Sequence, residues 1–154
     1  MQCEIELAKA VLEFEQHTCV VMKAYETHTS KQRGIAPLMH WLQTGIDMKG
    51  ATAADKVVGK AAAYLYVLLG IDVLYAAVIS KPALDVLENY QITVQYDQLV
   101  PAIRNRTDTG FCPMESAVLE IHTAEDAYPV LKQKQDELRQ LQEMSNQSKI
   151  RKLN

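Results

Sequence analysis

The spacing of apolar residues along the chain changes period several times, and each change marks an element. Over Ile5–Phe14, Leu7, Ala10, Val11 and Phe14 recur at helical spacing among Glu6, Lys9 and Glu13, which predicts a packing helix with that stripe turned inward. Thr18–Tyr25 is rich in β-branched and aromatic residues, and Thr27–Ser30 can return beside it, so a hairpin turning at Glu26 is expected. Ile35–Leu42 reads as a short helix with Pro37 in its first turn and Trp41 packed inward. Gly50–Gly70, GATAADKVVGKAAAYLYVLLG, is nearly all apolar and reads as one buried central helix. Thr52 and Asp55 have the spacing of a capping box, and Gly70 suits a left-handed close. The near-continuous apolar run Ile71–Ile79 predicts a strand buried on both faces. Beyond it, Lys81–Tyr90 reads as a helix, Ile92–Tyr96 as a strand and Leu99–Ile103 as a helical turn. Met114–Ile121 reads as an apolar helix, and Ala124–Met144 as a longer one carrying Leu131, Leu138 and Leu141 in a narrow stripe.

A hairpin followed by alternating helices and strands predicts an α/β protein: three layers, α-β-α, around a mixed sheet, with a C-terminal helical extension. A length of 154 residues suits one domain with a sizeable core. The expected division is a domain over residues 1–123, then a C-terminal helix and flexible tail over 124–154. Residues 145–154 are polar and basic, with Lys149, Arg151 and Lys152, and are expected to fray. The leucine stripe before them packs either on the domain or on a second subunit.

Composition narrows the function classes. With 48% hydrophobic and 23% charged residues the chain is neither disordered nor a disulfide scaffold. A net charge of −3 argues against a nucleic-acid footprint, which needs a basic face. Cys3, Cys19 and Cys112 are odd in number and widely spaced, as suits reduced thiols and a cytoplasmic location. MQCEIELAKAVLEFEQ, at the start of the chain, is charged throughout and lacks the apolar centre of a signal peptide. No apolar run approaches the roughly 18 residues of a membrane span, so no membrane is expected as a partner.

Candidate chemistry gathers in two places. Asp55, at the start of the expected 52–69 helix, could orient an amine or act as acid and base, and it could equally be a cap. Lys56 and Lys60 would lie one turn apart on the same face, where free helix N–H groups favour anions. In the second place, Cys112 precedes Pro113 and Glu115 as a helix N-cap, where a thiol can become a nucleophile. Arg104 and Arg106 flank the same polar loop with Thr109, a mixture suited to phosphate or carboxylate. Cys112, Glu115 and His122 are wrongly spaced for one helical face to present all three to a metal. Cys3 and Cys19 read as packing residues.

Four segments carry a resemblance: Gln32–Trp41 (QRGIAPLMHW), Ala53–Ala63 (AADKVVGKAAA), Leu68–Ser80 (LLGIDVLYAAVIS) and Arg104–Glu115 (RNRTDTGFCPME). Together they resemble an uncharacterised prokaryotic family of unknown function with a cytidine-deaminase-like fold, over roughly residues 4–121. The resemblance implies that the Gly50–Gly70 helix stands where deaminases carry a His-x-Glu motif. Those enzymes hold Zn²⁺ with that His and a Pro-Cys-x-x-Cys at the next helix start, while the Glu moves protons. Here the corresponding stretches read Ala53-Ala54-Asp55-Lys56-Val57 and Lys81-Pro82-Ala83-Leu84-Asp85-Val86. Pro82 remains, Ala83 and Val86 stand where the thiolates belong, and no His adjoins Asp55, so the zinc motif is absent and neither metal nor cofactor is expected.

The expected function is therefore metal-free binding of a small anionic molecule, a nucleotide or nucleobase derivative, at the N-terminus of the 52–69 helix. Lys56, Lys60, Arg104, Arg106, Thr109 and Glu115 are the expected ligand-binding residues, and Asp55 and Cys112 the catalytic candidates. The alternative is a non-enzymatic scaffold that forms a homodimer or contacts a partner protein.

Overall fold

A computed structural model describes residues 2–104, 110 and 112–153. In chain order the elements are α1 (Gln2–Phe14), β1 (Cys19–Lys23), β2 (Glu26–Ser30), α2 (Ala36–Thr44), β3 (Thr52–Val58), α3 (Lys60–Leu69), β4 (Val73–Ser80), α4 (Lys81–Asn89), β5 (Thr93–Val100), α5 (Pro113–Ala117) and α6 (Ala124–Leu153). The five strands form one mixed sheet in the order β2-β1-β3-β4-β5. β1 runs antiparallel to both β2 and β3, while β3, β4 and β5 are parallel, with Asp55 beside Ala76 and Ala76 beside Tyr96. Helix α1 covers one face; α2, α3, α4 and the first turns of α6 cover the other, which gives the expected three-layer α-β-α arrangement.

The buried face of α1 is Ile5, Ala8 and Leu12, packed on Val20, Ala54 and Tyr75. Leu7 and Phe14, expected inward, are exposed. Both stripes have helical spacing, and the sheet selects the one that meets its small residues. The hairpin turns at Ala24 and Tyr25 rather than at Glu26, because Lys23 pairs with Glu26. Trp41 is packed inward as expected, and Cys19 is buried; Cys3, expected to pack, is exposed on α1.

The largest correction concerns Gly50–Gly70, which is not one helix. Thr52–Val58 is the central strand β3, and only Lys60–Leu69 is helical. Alanine's helix propensity is a weak prior that tertiary context overrides. Ala53 and Ala54 are fully buried on opposite faces of the sheet, where small side chains let α1 and α3 close in from both sides. The capping box does not form, since Thr52 Oγ1 donates to Glu4 of α1 at 3.1 Å. Downstream, Leu99 and Val100 end strand β5 instead of starting a helical turn, and α6 continues as helix through the segment expected to fray.

Gly70 closes α3 in the left-handed region at φ 82°, as expected, and its N–H caps the carbonyls of Tyr66 and Val67. A Cβ there would lie 3.0 Å from Lys49 Cα, which is backbone and cannot yield cheaply. Gly45 closes α2 at φ 73° with nothing within 4 Å of an added Cβ. Gly45→Ala is therefore expected to cost about 1 kcal/mol of conformational strain alone, and Gly70→Ala distinctly more, as read from urea midpoints.

Candidate functional site

The parallel strands β3, β4 and β5 all end at the same edge of the sheet, where α3 and α4 begin. In open α/β sheets this carboxyl edge is where ligands bind. Each helix start is built differently. α4 is capped locally: buried Ser80 accepts the Ala83 N–H at 3.2 Å, and Pro82 sits in the first turn, where its missing N–H costs nothing.

α3 has no cap of its own, because its N-cap residue is Gly59. The orphan N–H groups of Lys60 and Ala61 donate instead to the carboxylate of Glu115, at 2.8 and 3.3 Å. Glu115 reaches them from α5, a helix that starts at Pro113 with Cys112 as N-cap, as expected. An added Cβ on Gly59 would overlap that carboxylate, with Glu115 Cδ only 2.5 Å away, so this glycine is needed for close approach. Lys60 extends its ammonium to the Leu119 carbonyl at 3.1 Å, and its Nζ lies 5.8 Å from the centre of the Tyr64 ring. Lys60, Ser80, Pro82, Ile103, Glu115 and Leu119 line much of a cavity of about 60 Å³ between these elements. Two larger depressions, about 470 Å³ along α6 and about 350 Å³ at the C-terminal ends of α2 and α3, are open and gather no comparable set of groups.

Burial raises the pKa of the Glu115 carboxyl, while the two N–H bonds and the Lys60 charge work against that rise. Asp55 is also raised, to about 7, with burial as the main cause; hydrogen bonds from Tyr66, Val57 and Lys56 oppose it. Its carboxylate accepts the Tyr66 hydroxyl at 2.6 Å and the Val57 N–H at 3.1 Å, and its cross-strand neighbour is Cys19.

Of the residues expected in the site, the structure brings Lys60 and Glu115 together, with Cys112 one turn from Glu115. The Cys112 thiol makes no capping bond, and its N–H donates to Ile103 at 3.3 Å. Asp55 lies within strand β3, buried under α3 against Tyr66, so it does not stand at a helix mouth. Lys56 is exposed on the same strand and shares no helical face with Lys60. Arg104 is exposed just beyond β5, and Arg106 and Thr109 lie outside the described residues. Gly59 and Ser80 belong to the site and were not expected there. Their signals were present: Val57-Val58-Gly59 marks a strand ending at a helix start, and Ser80-Lys81-Pro82 has N-cap and first-turn residues in order. Among the described residues, no three His, Cys, Asp or Glu side chains are grouped so as to hold a metal ion. The stretch set against the His-x-Glu motif is strand β3, so that correspondence moves off the helix start.

Comparison with known proteins adds the family. A DUF1893 family protein from Thermotoga maritima, TM1506, has a solved structure that superimposes with a TM-score of 0.80 at 28% identity, covering 87% of this chain and 91% of that one. A second Thermotoga maritima structure is a diaminohydroxyphosphoribosylaminopyrimidine deaminase/5-amino-6-(5-phosphoribosylamino)uracil reductase. It matches at 16% identity with a TM-score of 0.38, over 78% of this chain and 40% of that one, too weak a likeness to carry an argument. No curated protein matches the chain. The family profile of a domain of unknown function, DUF1893, matches residues 7–135, and the chain belongs to that family.

Proposed function

We propose that the protein binds a small anionic molecule at the carboxyl edge of its sheet, between the heads of α3 and α4, and that Glu115 holds the anion position when the ligand is away. The observation that carries this reading is the pair of hydrogen bonds from Lys60 N and Ala61 N to the Glu115 carboxylate. A helix start that accepts a carboxylate from another element has the donors and the field for an anion. Lys60 lies in the same cavity, and α5, which delivers Glu115, contains no fully buried residue between Pro113 and Ala117. The cavity of about 60 Å³ has room for one or two waters, so a nucleotide-sized ligand requires Glu115 to leave. Inorganic phosphate and nucleotides are the first probes to try, because each offers an anion to the α3 helix start.

Thermal shift with inorganic phosphate, nucleoside monophosphates and nucleobases tests the proposal. Glu115→Gln keeps an acceptor for the helix start but weakens the internal competitor, and is expected to bind the same ligand at least about tenfold tighter, the equivalent of 1.4 kcal/mol. Lys60→Ala should lose binding while leaving the melting curve of the free protein close to wild type. If neither wild type nor Glu115→Gln is stabilised by any of these probes, the reading fails.

A further inference from the structure

We propose that the outward face of α1 is a docking surface for the basic end of α6 from a second copy of this chain. The inference does not depend on the ligand site. Helix α1 carries two apolar stripes on opposite sides, and the sheet uses one of them, Ile5, Ala8 and Leu12. The other, Cys3, Leu7, Ala10 and Phe14, is spaced i, i+4, i+7, i+11, and all four residues are exposed, Phe14 at 93%. The folded monomer gains nothing from a phenyl ring held in water, and an apolar stripe at heptad spacing is what one helix offers to another.

Charge identifies the occupant. Glu6 and Glu13 border the stripe, about 80° round the helix from its centre. Lys9, the only cation of α1, lies about 130° away, with its Nζ 4.8 Å from the centre of the Tyr75 ring. Glu4 and Glu15 stand on the opposite border, where they accept from Thr52 and bond to His17. Glu6 and Glu13 enter no ion pair among the described residues. The outward face of α1 is therefore apolar between acidic borders, and two copies of it would repel one another.

The complement is on the same chain. Every residue of α6 from Arg139 to Lys152 is exposed. Leu141, Met144 and Ser148 run along one side of that stretch, with Leu141 and Met144 exposed at 62% and 65%. Arg151 and Lys152 stand about 50° to either side of this line, and the one carboxylate of the stretch, Glu143, lies about 130° from it. Neither cation enters an ion pair among the described residues. When the two apolar lines meet, one cation faces the Glu6 and Glu13 border and the other the Glu4 and Glu15 border, while Lys9 and Glu143 point away. Pairing α6 with α6 would set cation against cation, so only α1 against α6 joins apolar contact to opposite charge. Within one copy the two helices belong to opposite faces of the sheet: Ala124, Ala127 and Leu131 anchor α6 in the larger core, and α1 packs in the smaller one. The tail that reaches α1 is therefore that of a second copy.

Sedimentation equilibrium of the full-length protein over a wide concentration range tests this. The expected result is an average mass that rises with concentration to at least twice that of one chain, with association weakened at least tenfold by high salt. Glu6→Lys/Glu13→Lys and Arg151→Glu/Lys152→Glu should each weaken it at least tenfold, and so should Phe14→Ala. An equal mixture of the two charge-reversed variants should associate again, because each supplies the sign that the other's unmatched helix needs; one chain carrying both sets should do the same. All five side chains are exposed, so the thermal unfolding of the α/β body should stay unchanged and report on folding in each variant. A monomer at all concentrations would overturn the proposal. So would association indifferent to either reversal, or a mixture of the two reversed variants that stays monomeric.

Discussion

Gly59→Ala and Glu115→Ala are each expected to destabilise the protein by about 1.5–3 kcal/mol, and the double variant by little more than the worse single one. Both substitutions remove one interaction by different routes. Glu115→Ala deletes the carboxylate that accepts from Lys60 N and Ala61 N, leaving two helix donors unpaired in a half-buried place. Gly59→Ala keeps the carboxylate but fills the space it occupies, so the end of a flexible side chain must swing away and lose the same two bonds. Once Glu115 is gone, alanine at position 59 meets no carboxylate, and its extended backbone, φ −98° and ψ −179°, suits any residue. Chemical denaturation of the four proteins measures this directly. Additive losses would mean that Gly59 is needed for a reason other than Glu115, with Ile103, 3.0 Å from an added Cβ, the next candidate.

Asp55→Asn is expected to flatten the dependence of stability on pH between about 4 and 7. The carboxyl titrates near 7 in the fold against an ordinary value of 3.8, with burial as the main cause. The folded protein therefore holds this proton where the unfolded chain has released it. Stability is highest while both states are protonated, falls as pH rises through that interval, and levels off once both are ionised above about 7. At about 1.4 kcal/mol per pH unit the interval amounts to roughly 4 kcal/mol. Asparagine can keep the Val57 N–H on its Oδ1 and donate an Nδ2–H to the Tyr66 hydroxyl oxygen without carrying a charge, so above pH 7 the variant should be about as stable as wild type. Urea unfolding of both proteins across the range reads the difference, and a difference that does not change with pH would show that Asp55 is an ordinary carboxylate. The groups facing it are Cys19 on β1 and Tyr66 on α3, both raised by burial and by the Asp55 charge, and neither supplies a cation.

The two results bear on different parts of the chain. The first asks whether the head of α3 depends on a carboxylate from α5; the second asks what it costs to hold one beneath the same helix. Together they separate the half-buried acid, Glu115, from the enclosed one, Asp55. Spacing made Asp55 the natural candidate for the site, while the fold gives the position at the helix start to Glu115.

Local signals in the sequence determined a good deal. The periods of α1 and α2, the hairpin, the doubly buried run that became β4, the left-handed Gly70 and the Pro113 helix start could all be read from neighbours along the chain, because each depends on contacts or backbone preferences within a few residues. They were enough for a three-layer α/β fold. Only the tertiary structure decided the state of Thr52–Val58: an alanine-rich stretch satisfies a helix and a central strand alike until strands on both sides supply its hydrogen bonds. That decision moved Asp55 and Lys56 away from a helix mouth and made Lys60 the first residue of α3. It also left this helix start to be capped by Glu115, 55 residues away. No pattern of nearby residues encodes such a contact, because it is set by where two separate elements come to rest against one sheet.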